Sequence, residues 1–164
     1  MLRRISCLMI CLALLAGMAA AEPAWQTVDT GHFVCALPDG WTVQTREAED
    51  YTVYYGYERS DPLGGDYVFV MEQDYSNLWQ AVRDWTPQDI CEAYATGILE
   101  LPEDARGFST PMDCNGQPCF RVRKDTEATT WLITCAENCI LALAVPDGNA
   151  GMNWEMFFGT LRKK

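Results

Sequence analysis

The chain has 164 residues, of which 12 are basic and 23 acidic, for a formal charge of −11 at neutral pH. A surface of that sign repels nucleic acid and anionic membrane, since both need a basic face. The length suits one domain with room for a proper core.

The first segment has Arg3 and Arg4, an apolar run from Ile5 to about Ala16, then Ala19-Ala20-Ala21 before Glu22-Pro23. A positive start, a short apolar core and small residues before a polar break make a secretory signal of bacterial style, cleaved after Ala21. The run is short for a membrane span, so no span is expected after cleavage. Residues 1–21 are therefore read as a signal peptide and 22–164 as a single globular α+β domain, secreted or periplasmic. Cys7 and Cys11 leave with the signal, and no lipobox precedes a cysteine. Without Arg3 and Arg4 the mature chain keeps 10 basic against 23 acidic residues, a formal charge of −13.

Glu22 to Thr30 is a lead-in. Gly31 to Leu37 reads as a strand, Pro38-Asp39-Gly40 as a turn and Trp41 to Thr45 as a second strand paired to the first. Tyr51 to Tyr57 and Asp66 to Met71 form the next strand pair, the former rich in aromatic and β-branched residues. Asp61 to Gly65 joins them as a loop. Ser76 can cap a short helix through Arg83. Thr86-Pro87-Gln88-Asp89 is a stronger helix start, with a capping threonine, proline at the first helical position and an acid three residues on. Ile90, Ala93, Tyr94, Gly97, Ile98 and Leu101 then make one apolar stripe, which Pro102 ends.

Cys114 to Val145 reads as a three-stranded meander. Phe120 to Lys124 alternates apolar and polar residues, the period of a half-buried strand. A tip at Thr126 and Glu127 puts Phe120 opposite Ile133 and Val122 opposite Trp131, with Arg121 and Arg123 on the other face; a slip of one would flip every side chain. A second turn at Ala136-Glu137-Asn138 puts Ile133 opposite Leu141 and Trp131 opposite Leu143. After Pro146-Asp147-Gly148, the spacing of Trp154, Phe157, Phe158 and Leu161 predicts a terminal helix. It is expected to cover the meander face with Trp131, Ile133, Leu141 and Leu143. The basic residues Arg162, Lys163 and Lys164 suit the negative end of its dipole.

Six cysteines remain in the mature chain, and an even number in an exported protein implies disulfides. Cys114 with Cys119 and Cys135 with Cys139 each flank a turn; Cys35 with Cys91 follows by elimination. Zinc is the competitor, but structural zinc sites use tighter pairs. No metal site and no cofactor is read from the sequence.

The order of elements predicts an α+β fold: a central antiparallel sheet with helices packed on it, stapled by disulfides. Phe33, Leu37-Pro38-Asp39-Gly40-Trp41 and the aromatic terminal helix with its basic tail resemble the PsbP/Mog1/DcrB-like group. That resemblance implies a central antiparallel sheet flanked by helices and implies no activity. The cysteines depart from the group's usual pattern.

No catalytic constellation stands out. His32 is the only histidine, and the odd spacing to Cys35 puts the two on opposite faces of a strand, a poor dyad. Ser60, Ser76 and Ser109 lack a glycine elbow, and Gly64-Gly65 lacks the rest of a phosphate loop. Tyr51, Tyr55 and Tyr57 share a strand face with Val53, and Tyr54 lies on the other; packing under a helix is the plain use of such a face. The sharper use is a platform that stacks sugar rings or peptide side chains. The sequence thus points to a secreted, non-enzymatic binding domain for a protein or polysaccharide partner. The alternative is an extracytoplasmic hydrolase of envelope or extracellular polymer.

Overall fold

The computed structural model describes residues 25–58, 65–102, 105–136 and 138–164. The expected signal peptide and most of the expected loop at Asp61 to Gly65 lie outside them. Among the described residues, no helix is long and apolar enough to cross a membrane.

Ten strands dominate the described residues. β1 (Trp25–Asp29), β2 (Phe33–Pro38) and β10 (Arg162–Lys163) form a three-stranded antiparallel sheet in the order β1-β2-β10. β3 (Thr42–Glu47), β4 (Tyr51–Tyr57), β5 (Tyr67–Asp74), β6 (Thr110–Cys114), β7 (Gln117–Lys124), β8 (Thr129–Ala136) and β9 (Cys139–Pro146) form a seven-stranded sheet, order β3-β4-β5-β9-β8-β7-β6. Every recorded pairing is antiparallel. Among the described residues three α-helices accompany them: α1 (Trp79–Val82), α2 (Pro87–Leu99) and α3 (Trp154–Phe158).

The expected α+β, disulfide-stapled fold is therefore corrected to a mainly β, two-sheet architecture. One face of the large sheet takes α2; the other takes the small sheet and α3 rather than a second full helix. The strand expected from Gly31 to Leu37 does not pair with its successor. Pro38-Asp39-Gly40 instead carries the chain from one sheet to the other, with Gly40 at φ 89°, and β2 pairs with the lead-in Trp25–Asp29. The terminal helix stops at Phe158, and Arg162 and Lys163 pair with β2 as a strand.

The first meander hairpin has the expected register, with Phe120 opposite Ile133 and Val122 opposite Trp131. The second is shifted by one. Ala136 pairs with Cys139, so Leu132 faces Leu143 while Ile133 and Trp131 face Ala142 and Ala144. A one-residue shift exchanges the faces. Phe120, Val122, Ile133, Ile140 and Ala142 meet α2; Leu132, Leu141, Leu143 and Val145 meet the small sheet and α3. The four residues expected under the terminal helix are thus divided between two faces. β9 is buried along both sides from Cys139 to Val145, as its unbroken apolar run allows.

Helix α2 begins as its sequence directs. Thr86 Oγ1 accepts from Asp89 N–H, the Asp89 carboxylate accepts from Thr86 N–H, and Pro87 takes the first turn. Its covered stripe is rotated from expectation: Ile90, Cys91 and Ala95 are buried, whereas Gly97 is exposed.

All six cysteines of the described chain are free thiols. The expected pairs Cys135–Cys139 and Cys35–Cys91 fail on geometry. Cys135 lies on the α2 face and Cys139 on the opposite one, because the tight turn pairs Cys139 with Ala136. Cys35 and Cys91 are on opposite sides of the large sheet. Cys91 packs with Cys135 in the cluster under α2 instead. Cys114 and Cys119 share one core cluster beside the β6–β7 turn, the expected proximity without the bond, and the Cys119 thiol donates to Gln117 O at 3.3 Å.

The two sheets meet closely at Gly56 in β4. A Cβ there would stand 2.5 Å from Leu37 Cδ1 and 3.3 Å from Val68 Cγ2, both in the packed core. Gly56→Ala should cost about 1–3 kcal/mol by overpacking. Gly148, with nothing within 4 Å of such a Cβ, is the control, and urea unfolding of both variants is the check.

Candidate functional site

The α2-side face of the large sheet is covered unevenly. α2 contacts β7 and β8. The β4 and β5 portion carries a strip of rings instead. Alternation along β4 puts Tyr51, Val53, Tyr55 and Tyr57 on this face, and alternation along β5 adds Tyr67, Phe69 and Met71. Register sets Tyr57 opposite Tyr67 and Tyr55 opposite Phe69. The ring of Tyr55 lies 4.9 Å from Phe69, 5.3 Å from Tyr57 and 5.7 Å from Tyr67, and Tyr67 meets Phe69 edge-on at 5.4 Å. These spacings are those of favourable aromatic pairs. Phe69 remains 36% exposed and Tyr51 40%, whereas Tyr57 is buried, so the strip is open to solvent at Phe69 and Tyr51 and covered at Tyr57.

Of the four expected platform residues, Tyr51, Tyr55 and Tyr57 fall on this face. Tyr54 does not: it packs against the core between the sheets. Tyr55 is half-buried, and burial, then its neighbours Tyr67 and Tyr57, push its hydroxyl pKa up. It stays a neutral donor in the physiological range. Gln44 Nε2 donates to Tyr57 Oη at 2.9 Å and holds that ring in place.

Phe69, Ala144 and Trp131 lie side by side on β5, β9 and β8. Strands are about 4.8 Å apart, so the two large rings stand about 10 Å apart over a small residue. The result is a trough. A cavity of about 300 Å³ opens there, lined by Tyr67, Phe69, Glu127, Thr129, Trp131 and Pro146. The indole Nε1–H of Trp131 is buried with no hydrogen-bond partner among the described residues. A buried donor left unpaired costs about 1–3 kcal/mol. The sequence reading missed Tyr67, Phe69 and Trp131 as site residues. Alternation could have placed each on its strand face, but only the sheet order brings them together.

A second cavity, of about 450 Å³, lies between α2 and the sheet, with Tyr75, Val82, Trp85, Ile90, Tyr94 and Ile140 among its walls. Its lining is mainly apolar, with Gln73 and Thr96 among the polar exceptions.

On the opposite face of the large sheet, His32 meets Glu72 rather than Cys35. His32 Nδ1 and Glu72 Oε1 are 2.8 Å apart. The Thr30 hydroxyl donates to the other Glu72 oxygen. Cys139 completes a group whose donor atoms all lie within 4.8 Å of one another.

No family model matches the chain, and no curated protein does. Among solved structures, a crystal structure from Bacteroides thetaiotaomicron VPI-5482 is similar at a TM-score of 0.48 and 13% identity. The match covers 88% of this chain and 49% of that one, so this chain spans about half the length of that neighbour.

Proposed function

We propose that the chain is a secreted or periplasmic binding domain that holds a neutral polysaccharide in the trough between Phe69 and Trp131. The observation that carries this reading is the strip of Tyr55, Tyr67 and Phe69, backed by the buried Tyr57 and facing Trp131 across Ala144. A sugar ring presents an apolar C–H face and a polar rim. The aromatic rings take the face, and the rim meets the chemistry beside them: the Thr129 hydroxyl and the Glu127 carboxylate. The formal charge of −11 disfavours an anionic glycan. A hydrolase of the same polymer needs two converging carboxylates, and the trough is lined by one.

A panel of neutral and anionic polysaccharides, screened by affinity electrophoresis and then by calorimetry, tests the reading. Binding of a neutral glycan is expected. Tyr55→Ala and Phe69→Ala should each weaken it at least tenfold while the melting temperature moves little, because both rings are partly open to solvent. Unchanged affinity in Phe69→Ala, or binding of no neutral glycan, would overturn it.

A further inference from the structure

Three segments far apart in the chain converge on the face of the large sheet away from the aromatic trough. Glu72 of β5 and Cys139 of β9 are diagonal neighbours across one ladder, since Cys139 pairs with Asp74 and Glu72 with Leu141. The turn between β1 and β2 brings His32 over them, forty residues from Glu72 in sequence. His32 is 44% exposed at its side chain, Glu72 12%, and Cys139 is buried at 2%.

The turn is held from several sides. Thr30 N–H donates to Phe33 O at 3.0 Å, Lys164 N–H donates to His32 O at 3.0 Å, and Gly31 N–H donates to Asp29 Oδ1 at 2.9 Å. Gly31 has φ 106°, and a Cβ there would stand 3.3 Å from Glu72 Oε1. Glycine at this position therefore serves both the turn and the close approach to the carboxylate. Behind the carboxylate, Thr30 is nearly buried and donates to Glu72 Oε2, the supporting contact that orients a ligating carboxylate. The Cys139 thiol approaches from the other side, its Sγ within 4.8 Å of a Glu72 carboxylate oxygen.

We propose that His32, Glu72 and Cys139 form a binding site for a zinc-class divalent cation. One imidazole nitrogen, one carboxylate oxygen and one thiolate are ligand types zinc prefers, and three protein ligands leave a fourth position for water. Zinc–ligand distances of about 2.0–2.3 Å put tetrahedral donor atoms about 3.3–3.7 Å apart. The three donors here already lie within 4.8 Å, so small side-chain rotations close the site. The cation stands where His32 Nδ1 and Glu72 Oε1 now share a hydrogen bond, and the imidazole binds it as the neutral ring, its single proton on Nε2. Binding also removes the Cys139 thiol proton, which goes to the buffer, and a thiolate–metal bond forms with no change of oxidation state. The ligand charges, one carboxylate and one thiolate, then balance the cation. Asp74, opposite Cys139 in the ladder, adds to the negative field.

This site is independent of the glycan reading, since the two occupy opposite faces of the sheet. The test is titration of the purified, phosphine-reduced full chain with Co²⁺, followed by displacement with Zn²⁺. A thiolate-to-cobalt charge-transfer band should grow to one equivalent and vanish as Zn²⁺ is added. Cys139→Ser should abolish the band, and His32→Ala should weaken Co²⁺ binding at least tenfold. His32 lies on an exposed turn, so this variant stays informative if Cys139→Ser fails to fold. No band in the unaltered chain, a band that persists in Cys139→Ser, or unchanged affinity in His32→Ala would each overturn the proposal.

Discussion

Phe157→Ala is expected to destabilise the protein by about 3–5 kcal/mol, the range of large core truncations. Phe157 has no exposed surface and lies on α3, which contacts β9 and β2 and so pins the small sheet to the large one. Its ring lies 6.2 Å from that of Phe158, and Met152 and Leu161, also fully buried, belong to the same core. Little can collapse into the space left, because the neighbours are strands of two sheets held by their own ladders. Met156, one position earlier and 43% exposed, is the control, and its truncation should cost under about 0.5 kcal/mol. Urea unfolding of both variants decides the matter. A loss below about 1 kcal/mol for Phe157→Ala would show that α3 does not dock as described.

The second large effect is expected at Glu92. This residue sits on α2 at 2% exposure, an unusual place for a carboxylate. It is held there by donors. Gly107 N–H donates to one oxygen at 2.9 Å, and the Ser109 hydroxyl and Gln88 Nε2 donate to the other at 2.6 Å and 3.2 Å. The carboxylate thereby ties the segment before β6 to the helix. Glu92→Leu strips these donors of their acceptor, at a cost of about 3 kcal/mol or more.

Glu92 also carries a pH signature. Burial pushes its carboxyl pKa up, but the hydrogen bonds from Ser109, Gly107 and Gln88 together outweigh burial and hold it below the ordinary glutamate range. A carboxyl depressed in the folded state contributes stability that is full above its unfolded value, about 4.3, and fades as pH falls through the folded value. The unaltered chain should therefore lose more stability than Glu92→Gln on acidification from pH 7 to pH 3. Parallel stability–pH curves for the two proteins would remove Glu92 from the account.

Local chemistry was legible wherever one segment settled its own structure. The cap of α2 reads from Thr86, Pro87 and Asp89, and the β7–β8 register reads from the alternation of Phe120, Val122 and the intervening arginines. That strand has one apolar and one polar face, so only one register keeps the apolar face together. β9 carries no such information. Ile140, Ala142 and Ala144 on one side and Leu141, Leu143 and Val145 on the other are all apolar, so both registers look acceptable. The tight turn between β8 and β9 decides, and the choice separates Cys135 from Cys139 and divides the expected terminal-helix surface between two layers.

The trough and the His32 cluster were not legible for a related reason. Periodicity states which residues share a face of one strand; it does not state which strands become neighbours. Tyr51, Tyr55 and Tyr57 were visible as a set because they lie on one strand. Phe69 and Trp131 join them only because β9 inserts between β5 and β8, a long-range pairing that places Ala144 between the two rings. The same insertion sets Cys139 beside Glu72. By itself the sequence determined strands, caps, one hairpin and the aromatic character of β4. The order of the strands, the second sheet and both candidate sites came from tertiary pairing, because burial on both faces erases the alternation that sequence reading depends on.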